Sequence, residues 1–144
     1  MSDIVWTINP KNDQFENVMQ RMQMFATEIL DAKSIQLEFR NDASLNSARL
    51  TMKQRKNLYL FFKEAINNAA KHSGAKKIIV SIIKKDGNIE MDISDDGSGF
   101  NTSAIFNGNG MSSLKKRADE LNAMYNITSI TNEGTTVQLK FRIA

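Results

Sequence analysis

The sequence predicts a two-layer α+β sandwich, in which helices cover one face of a mixed, mostly antiparallel sheet. Two observations predict it: helical periodicities stand in separate segments, and strand-like runs occur as adjacent pairs joined by turn-forming dipeptides. The expected order is helix, strand, helix, two strands, an irregular glycine-rich stretch, helix and two strands. At 144 residues the chain is long enough for one domain with a real core.

The first helix and strand follow a short approach, residues 1–12, that contains the only proline, Pro10. Asp13 and Glu16 have the spacing of a capping box. Apolar residues then repeat at helical spacing: Phe15, Val18, Met19, Met22, Phe25, Ala26, Ile29 and Leu30. IQLEF, residues 35–39, alternates as a short strand does, and residues 41–49 are expected to form a polar loop.

A second long helix is predicted from a capping pair, Thr51 and Gln54, to about His72. Ser73 and Gly74 end it in the manner of a glycine cap. Its apolar stripe consists of Leu58, Phe61, Phe62, Ala65, Ile66 and Ala69.

Two hairpins account for the remaining strands. Residues 76–85 and 88–94 flank Asp86–Gly87, a dipeptide that strongly favours a hairpin turn. The irregular stretch 94–110 follows, and then a helix over about 111–123 with Leu114, Ala118 and Leu121 facing inward. The final residues predict a second hairpin turning at Glu133–Gly134.

The totals exclude several classes of protein. The chain has no cysteine, which rules out disulfides and thiolate metal sites. The net charge is only +3 and the basic residues are scattered, so no nucleic-acid partner is expected. Because no apolar run approaches membrane-spanning length, we expect a cytoplasmic chain that does not itself span a membrane. Whether missing N-terminal segments anchor a longer protein to a membrane is left open.

The segment EAINNAAKH, residues 64–72, places four polar side chains on one helix face. Glu64, Asn68, Lys71 and His72 fall within an arc of about 100°. Mg²⁺ prefers few protein oxygens together with waters and substrate phosphates, so one Asn carbonyl is a suitable ligand. Lys71 would then meet a phosphate, and Glu64 would polarise the attacking group. The alternative is a solvated helix face.

The segment SDDGSGF, residues 94–100, follows a predicted strand directly. The Asp95 carboxylate is an acceptor, and Gly97 and Gly99 let a ligand approach the backbone closely. This combination suits a flat ligand edge with an amino donor, such as adenine. The alternative is a solvated turn, since these dipeptides commonly form loops.

The segment GNGM, residues 108–111, opens the last predicted helix. Gly108 and Gly110 expose free N–H groups at the positive end of the helix dipole, which favours phosphate. The alternative is a flexible loop with a cap.

Together, in this order, the motifs resemble the ATP-binding catalytic domain of two-component sensor histidine kinases. This ATPase superfamily, with its Bergerat-type fold, includes gyrase and the ninety-kilodalton heat-shock chaperones. EAINNAAKH resembles the N box, SDDGSGF the first glycine box, GNGMSSLKKRA the second, and EGTTVQLKF the closing strand. The short lid and IVWTINP near the start resemble the nitrate-sensor subclass. The resemblance covers nearly the whole chain, as a junction (1–12) and an ATP-binding domain (13–144).

The resemblance implies a role for each candidate residue. Asn68 would ligate the Mg²⁺ that accompanies ATP, and Glu64 would be the catalytic acid/base or orienting residue. The other implied nucleotide contacts are Lys71 and His72 at the phosphates or ribose, Asp95 at the adenine amino group, Gly97 and Gly99 beside it, Gly108 and Gly110 as lid hinges, and Thr135 at the adenine end through water.

The resemblance also implies partners. The γ-phosphoryl group would pass to a histidine on a dimerisation segment, and from there the signal would reach a response regulator, with the full-length protein a homodimer. The sequence departs from the pattern because its one histidine lies in the N box, so the acceptor region is expected to be absent and the chain inactive alone. Two rivals remain: a stand-alone serine kinase of the anti-sigma-factor type, and a nucleotide-gated interaction module that never transfers phosphate.

Overall fold

The computed structural model describes residues 15–42, 45, 48, 50–72, 76–97, 109–130 and 134–143, with the backbone alone for residues 71–72, 109–113 and 129–130. Along this part of the chain the elements are α1 (Phe15–Ala32), β1 (Gln36–Asn41), α2 (Met52–His72), β2 (Lys77–Lys85), β3 (Asn88–Asp95), α3 (Asn109–Glu120), β4 (Met124–Ile130) and β5 (Gly134–Arg142). This order of elements is the predicted one.

The five strands form one sheet in the order β1-β2-β3-β5-β4. β1 pairs with β2 in parallel, and the other neighbours are antiparallel. The prediction of a mixed, mostly antiparallel sheet is therefore confirmed.

The register of the strands gives the sheet one apolar face. Residues directly opposite each other on paired strands project to the same side. Val80 pairs with Ile93, and Met91 pairs with Leu139. The side chains on this face are buried in the core, among them Ile78, Val80, Ile82, Ile89, Met91, Ile93, Leu139 and Phe141.

The helices cover this apolar face. The Phe62 ring of α2 contacts Phe39 of β1 edge-on at 6.4 Å between centroids, and Phe61 contacts Tyr125 of β4 at 6.3 Å. α2 therefore spans the sheet from one edge strand to the other, and it packs against α1 and α3 on either side. The alternate strand positions, such as Glu90 and Asp92, face away from the helices and are half-buried.

The start of α2 has the predicted cap, and the end of α3 has a cap that the sequence analysis does not predict. At the start of α2, the Gln54 N–H donates to Thr51 Oγ1 at 3.1 Å and the Thr51 N–H donates to Gln54 Oε1 at 3.0 Å, which confirms the capping box. α3 ends three residues before the predicted Ala123 because Asn122 adopts φ +53° and the Ala123 N–H returns to the Ala118 carbonyl. This is a Schellman cap made by asparagine.

Other boundaries also differ from the predictions. α3 begins at Asn109, two residues early, and the last hairpin pairs Ile130 with Gly134, so Gly134 is already a strand residue. The predicted polar loop 41–49 includes Leu45 and Ala48, which are buried in the core. In the segments that the structure describes, no helix has both the length and the apolar character needed to cross a membrane.

Candidate nucleotide-binding site

One end of the sandwich gathers most of the described candidate residues. The last pair of the β2–β3 ladder is Ile78 with Asp95, and Asp95 also pairs with Thr135 at the start of β5. We call the segments 76–77, 95–97 and 134–135 the site end of the sheet. α2 ends at His72, and four further residues span at most about 14 Å, so its carboxyl end reaches the same region.

Asp95 lies on the helix-facing side of the sheet. Its pairing partners Ile78 and Thr135 are both buried, and Ile93, two residues earlier on the same face, belongs to the core. The Asp95 Oδ1 atom accepts a hydrogen bond from the Gly97 N–H at 2.9 Å. A short Asx-type turn therefore fixes the orientation of the carboxylate at the point where β3 ends.

The environment of Asp95 disfavours its charge. Burial raises the pKa of its carboxyl above the ordinary 3.8, and the charge of Asp96 raises the pKa further. Hydrogen bonds from the backbone amides of Gly97 and Thr135 oppose this rise. A half-buried carboxylate held by backbone amides is an acceptor that gains from a ligand amino donor.

The start of β5 must approach Asp95 closely. Gly134 has φ +107°, and a Cβ atom there would lie 2.1 Å from the Asp95 carbonyl oxygen. Only glycine fits this position without moving one of the two strands. Thr135, which follows it, is only 5% exposed. The structure thus places Thr135 beside Asp95, as its proposed role requires.

Glu64 and Asn68 lie together on α2 at the border of its buried stripe. Phe61 and Ala65, which flank them around the helix, are buried, whereas Glu64 and Asn68 are both half-buried. At about 100° per residue Asn68 lies only about 40° from Glu64. α2 also packs against β3, the strand that ends at Asp95.

The structure does not describe the side-chain positions of several candidate residues. Gly99 and Gly108 lie outside the described residues. Lys71 and His72 occupy the last turn of α2, and Gly110 lies in the first turn of α3, as backbone positions. Their predicted contacts with nucleotide stay predictions.

Comparison with known proteins identifies the family. The sequence model of one protein family, described as "Histidine kinase-, DNA gyrase B-, and HSP90-like ATPase", matches residues 53–144. This range is well over half of the chain. The chain belongs to this ATPase family. The match begins one residue inside α2 and includes β2, β3, α3, β4 and β5, so all the candidate site residues fall within it.

Curated relatives of this ATPase domain include sensor proteins. The chain is 32% identical over 84 residues to the sensor protein VraS of Staphylococcus aureus, an alignment that covers 58% of this chain and 24% of VraS. The chain thus spans about a quarter of the length of the curated relatives that it matches.

Solved histidine kinases share the fold. Acinetobacter baumannii histidine kinase AdeS superposes with a TM-score of 0.74 at 17% identity, covering 90% of this chain and 65% of that one. The catalytic domain of histidine kinase ThkA gives a TM-score of 0.72 at 15% identity, covering 90% and 93%. The predicted histidine-kinase type of ATPase fold is confirmed. The nitrate-sensor subclass stays a prediction.

The donor atoms on α2 suit the metal that the family implies. Asn68 offers a carboxamide oxygen beside the Glu64 carboxylate, and hard oxygen donors of this kind are those that Mg²⁺ accepts. Among the described residues no group of three or more acidic or histidine side chains converges on one point. A Mg²⁺ ion held mainly by nucleotide phosphates needs only one or two such protein oxygens.

Two residues of the site end had no functional role in the sequence interpretation. Asp96 stands within the first glycine box, and Gly134 stands at the predicted turn that opens the closing-strand motif, but neither motif assigns the residue a role. Their roles come from contacts with segments 19 to 39 positions away, at Lys77 and Asp95. The one signal in the sequence was the second carboxylate of Asp95–Asp96, which a solvated turn does not require.

Proposed function

We propose that this ATPase domain binds Mg·ATP between α2 and the site end of the sheet, as the catalytic domain of a sensor histidine kinase. The observation that carries the proposal is the Asp95 carboxylate, half-buried on the helix-facing side of β3 and fixed by the Gly97 amide. A donor from the adenine amino group would complete its hydrogen bonding, which discriminates strongly against ligands without that donor.

The remaining candidates would act along the border of α2. Asn68 would hold the Mg²⁺ ion that accompanies ATP, and Lys71 and His72 would meet the phosphates or ribose one turn further on. Gly97 and Gly99 would admit the base, Gly108 and Gly110 would hinge the lid, and Thr135 would support the adenine end through water.

Phosphoryl transfer requires little covalent chemistry from this chain. The γ-phosphoryl group would pass from ATP to an imidazole nitrogen of the acceptor histidine, leaving ADP, while Glu64 orients that imidazole or takes its proton. Catalysis then consists mainly of positioning and charge stabilisation. The Mg²⁺ ion supplies further neutralisation of the phosphate charge.

The partners of this reaction are inferred from the relatives. The VraS relatives from Staphylococcus aureus and Staphylococcus epidermidis are sensor proteins, and this favours the histidine kinase over the two rival functions. The acceptor would be a histidine on a dimerisation segment of a homodimeric full-length protein, and the phosphoryl group would continue to a response regulator.

A titration of the chain with ATP, with and without Mg²⁺, tests the binding step. We expect binding that Mg²⁺ strengthens. Incubation with labelled ATP then tests transfer, alone and with a separate helical segment that bears an exposed histidine. We expect label on the added segment and none on the chain, because a residue of α2, the helix that would line the phosphates, would not lie in line with the bond that breaks.

Each rival function has its own outcome in this experiment. Label on a partner's serine would favour the serine kinase, and ATP binding without any transfer would favour the nucleotide-gated module. Acid-labile phosphate on His72 would contradict the proposed geometry.

The role of Asn68 has a control one residue away. We expect Asn68→Ala to reduce Mg·ATP turnover at least tenfold while metal-free nucleotide binds within about twofold, because the lost oxygen would hold the metal and not the nucleotide. Asn67 is also half-buried but lies about 100° around the helix, so Asn67→Ala should leave turnover unchanged. Equal transfer rates in parent and Asn68→Ala, measured with the added segment, would make Asn68 a surface amide.

A further inference from the structure

Asp96 joins β3 to the start of β2 through its side chain. One carboxylate oxygen, Oδ1, accepts the backbone N–H groups of both Lys76 at 2.8 Å and Lys77 at 3.0 Å. The Asp96 N–H also donates to the Lys77 carbonyl at 3.3 Å. The carboxylate thus occupies a concavity made by two successive amides, a geometry that binds anions well.

The segment that Asp96 holds is the connection between α2 and the sheet. Lys76 lies four residues beyond His72, the last residue of α2. The Lys76 carbonyl accepts the Gln36 N–H at 2.8 Å, so the same residue is also tied to β1. Through Lys76 and Lys77, Asp96 therefore links the end of the helix that carries Asn68 to the strand that carries Asp95.

Asp96 also anchors the peptide that orients Asp95. The Gly97 N–H belongs to the peptide group between Asp96 and Gly97, and this N–H is the donor to Asp95 Oδ1. If the Asp96 side chain releases β2, that peptide gains freedom to rotate. The Asp95 carboxylate would then lose the hydrogen bond that fixes its direction.

We propose that Asp96 is a positioning residue for nucleotide, which clamps the α2–β2 connection to β3 so that Asp95 and the α2 border keep one relative placement. The inference rests on the proposed function, because the ligand is the adenine nucleotide assigned there. The two amide donors hold the pKa of Asp96 below its ordinary 3.8, so the carboxylate stays ionised at neutral pH and both hydrogen bonds remain charge-assisted.

Three variants of the full chain separate positioning from mere stability. Asp96→Ala removes the acceptor, Asp96→Asn keeps an Oδ1 atom in the same place, and Asp92→Ala removes a carboxylate from the outward face of the same strand. Dissociation constants for ATP and ADP should be measured by calorimetry at a temperature where every variant is fully folded. Backbone amide exchange should be followed at Lys76, Lys77 and Gly97.

We expect Asp96→Ala to weaken ATP and ADP about three- to tenfold, less than the loss of a direct hydrogen bond to a charged group, because Asp96 is exposed and acts only through the placement of Asp95. Exchange at the three amides should accelerate in the same variant. Asp96→Asn should restore affinity to within about twofold of the parent, and Asp92→Ala should match the parent.

The affinities and exchange rates of these variants can overturn the inference in the following ways. If Asp96→Ala lowers the melting temperature but binds ATP like the parent, Asp96 is structural and the inference is overturned. If Asp96→Asn loses as much affinity as Asp96→Ala while its amides at Lys76, Lys77 and Gly97 exchange as slowly as in the parent, charge and not the clamp is responsible, which also overturns the inference. If exchange at those amides accelerates as well, the clamp depends on charge-assisted hydrogen bonds and the inference holds. A parent chain that fails to bind ATP would overturn the proposed function together with this inference.

Discussion

The dipeptide Asp-Gly occurs at both ends of β3, and the two copies do different things. Asp86–Gly87 precedes the strand and Asp96–Gly97 follows it. At the first copy β2 and β3 are joined by the dipeptide itself. At the second, the open end of the same pair of strands, the side chain of Asp96 joins the end of β3 to the start of β2.

The first copy, at the turn end, is a local structure. Asp86 and Gly87 both have positive φ, +54° and +79°, and the next pair of the ladder is Lys85 with Asn88. These angles define a two-residue hairpin turn whose twist matches that of the strands. A Cβ added at Gly87 would meet no atom within 4 Å, so a side chain at this position would have open space, although the Gly87 carbonyl accepts the Ile143 N–H at 3.0 Å.

The second copy, at the site end, depends on distant residues. Gly97 is buried and its N–H donates to Asp95, while Asp96 accepts two amides from β2. Gly134 of β5 closes on the Asp95 carbonyl from the other side. The same two residue types therefore form a turn where the chain reverses locally, and a junction where three separate segments meet.

Replacing glycine by alanine should lower the free energy of unfolding more at Gly134, at the site end, than at Gly87, at the turn end. We expect Gly134→Ala to lower the free energy of unfolding by about 2–4 kcal/mol, since φ is strained and the strand must move away from Asp95. Gly87→Ala should cost about 1–2 kcal/mol, from its positive φ alone. Urea unfolding followed by circular dichroism measures both. Equal losses would show that β5 yields freely at the Asp95 carbonyl.

Replacing Asp95, at the site end of β3, or Asp86, at its turn end, by asparagine should separate binding from folding. We expect Asp95→Asn to weaken ATP tenfold or more, because a hydrogen bond to a charged acceptor contributes about 1.5–3 kcal/mol. Asp86→Asn is the matched control, since asparagine also tolerates the positive φ of a hairpin turn. Its ATP affinity should equal that of the parent. Calorimetric titration of both variants is decisive, and an unchanged Asp95→Asn affinity would remove Asp95 from the site.

The comparison also explains which features the sequence could predict. The hairpin at Asp86–Gly87 and the capping box of Thr51 with Gln54 depend on residues at most three positions apart, and both predictions are confirmed. The order of motifs predicted the family because the glycine-rich segments are short and local. These features are legible in sequence because local geometry alone determines them.

The contacts that shape the site end have no local signature. Asp96 finds its donors 19 and 20 residues earlier, and Gly134 meets a carbonyl 39 residues before it. The end of α3 differs from the prediction for another reason, because Asn122 makes a local cap where the sequence rules expect glycine. Placement of the neighbouring strands decides the contacts of Asp96 and Gly134, and a single sequence does not specify that placement residue by residue.

The adjacent carboxylates Asp95 and Asp96 should respond to pH in opposite directions. The pKa of Asp95 is raised above 3.8 in the folded chain, so its stabilising contribution is present at low pH and is lost as pH rises through the folded value. The pKa of Asp96 is lowered below 3.8, so its contribution is present at higher pH and is lost as pH falls through the folded value.

Asparagine at each position removes one of these two titrations. Relative to the parent, Asp95→Asn should gain stability as pH rises above 3.8, and Asp96→Asn should lose stability as pH rises toward 3.8 from below. Both changes in the free energy of unfolding should be smaller than those expected for the two glycine variants. Asp96 is exposed and Asp95 is only half-buried, so water screens their charges. Urea unfolding of the three chains between about pH 3 and 7, in low salt, measures the differences. Parallel pH profiles for the two variants would mean that the carboxylates share one environment, and the distinction between a buried acceptor and an exposed clamp would fail.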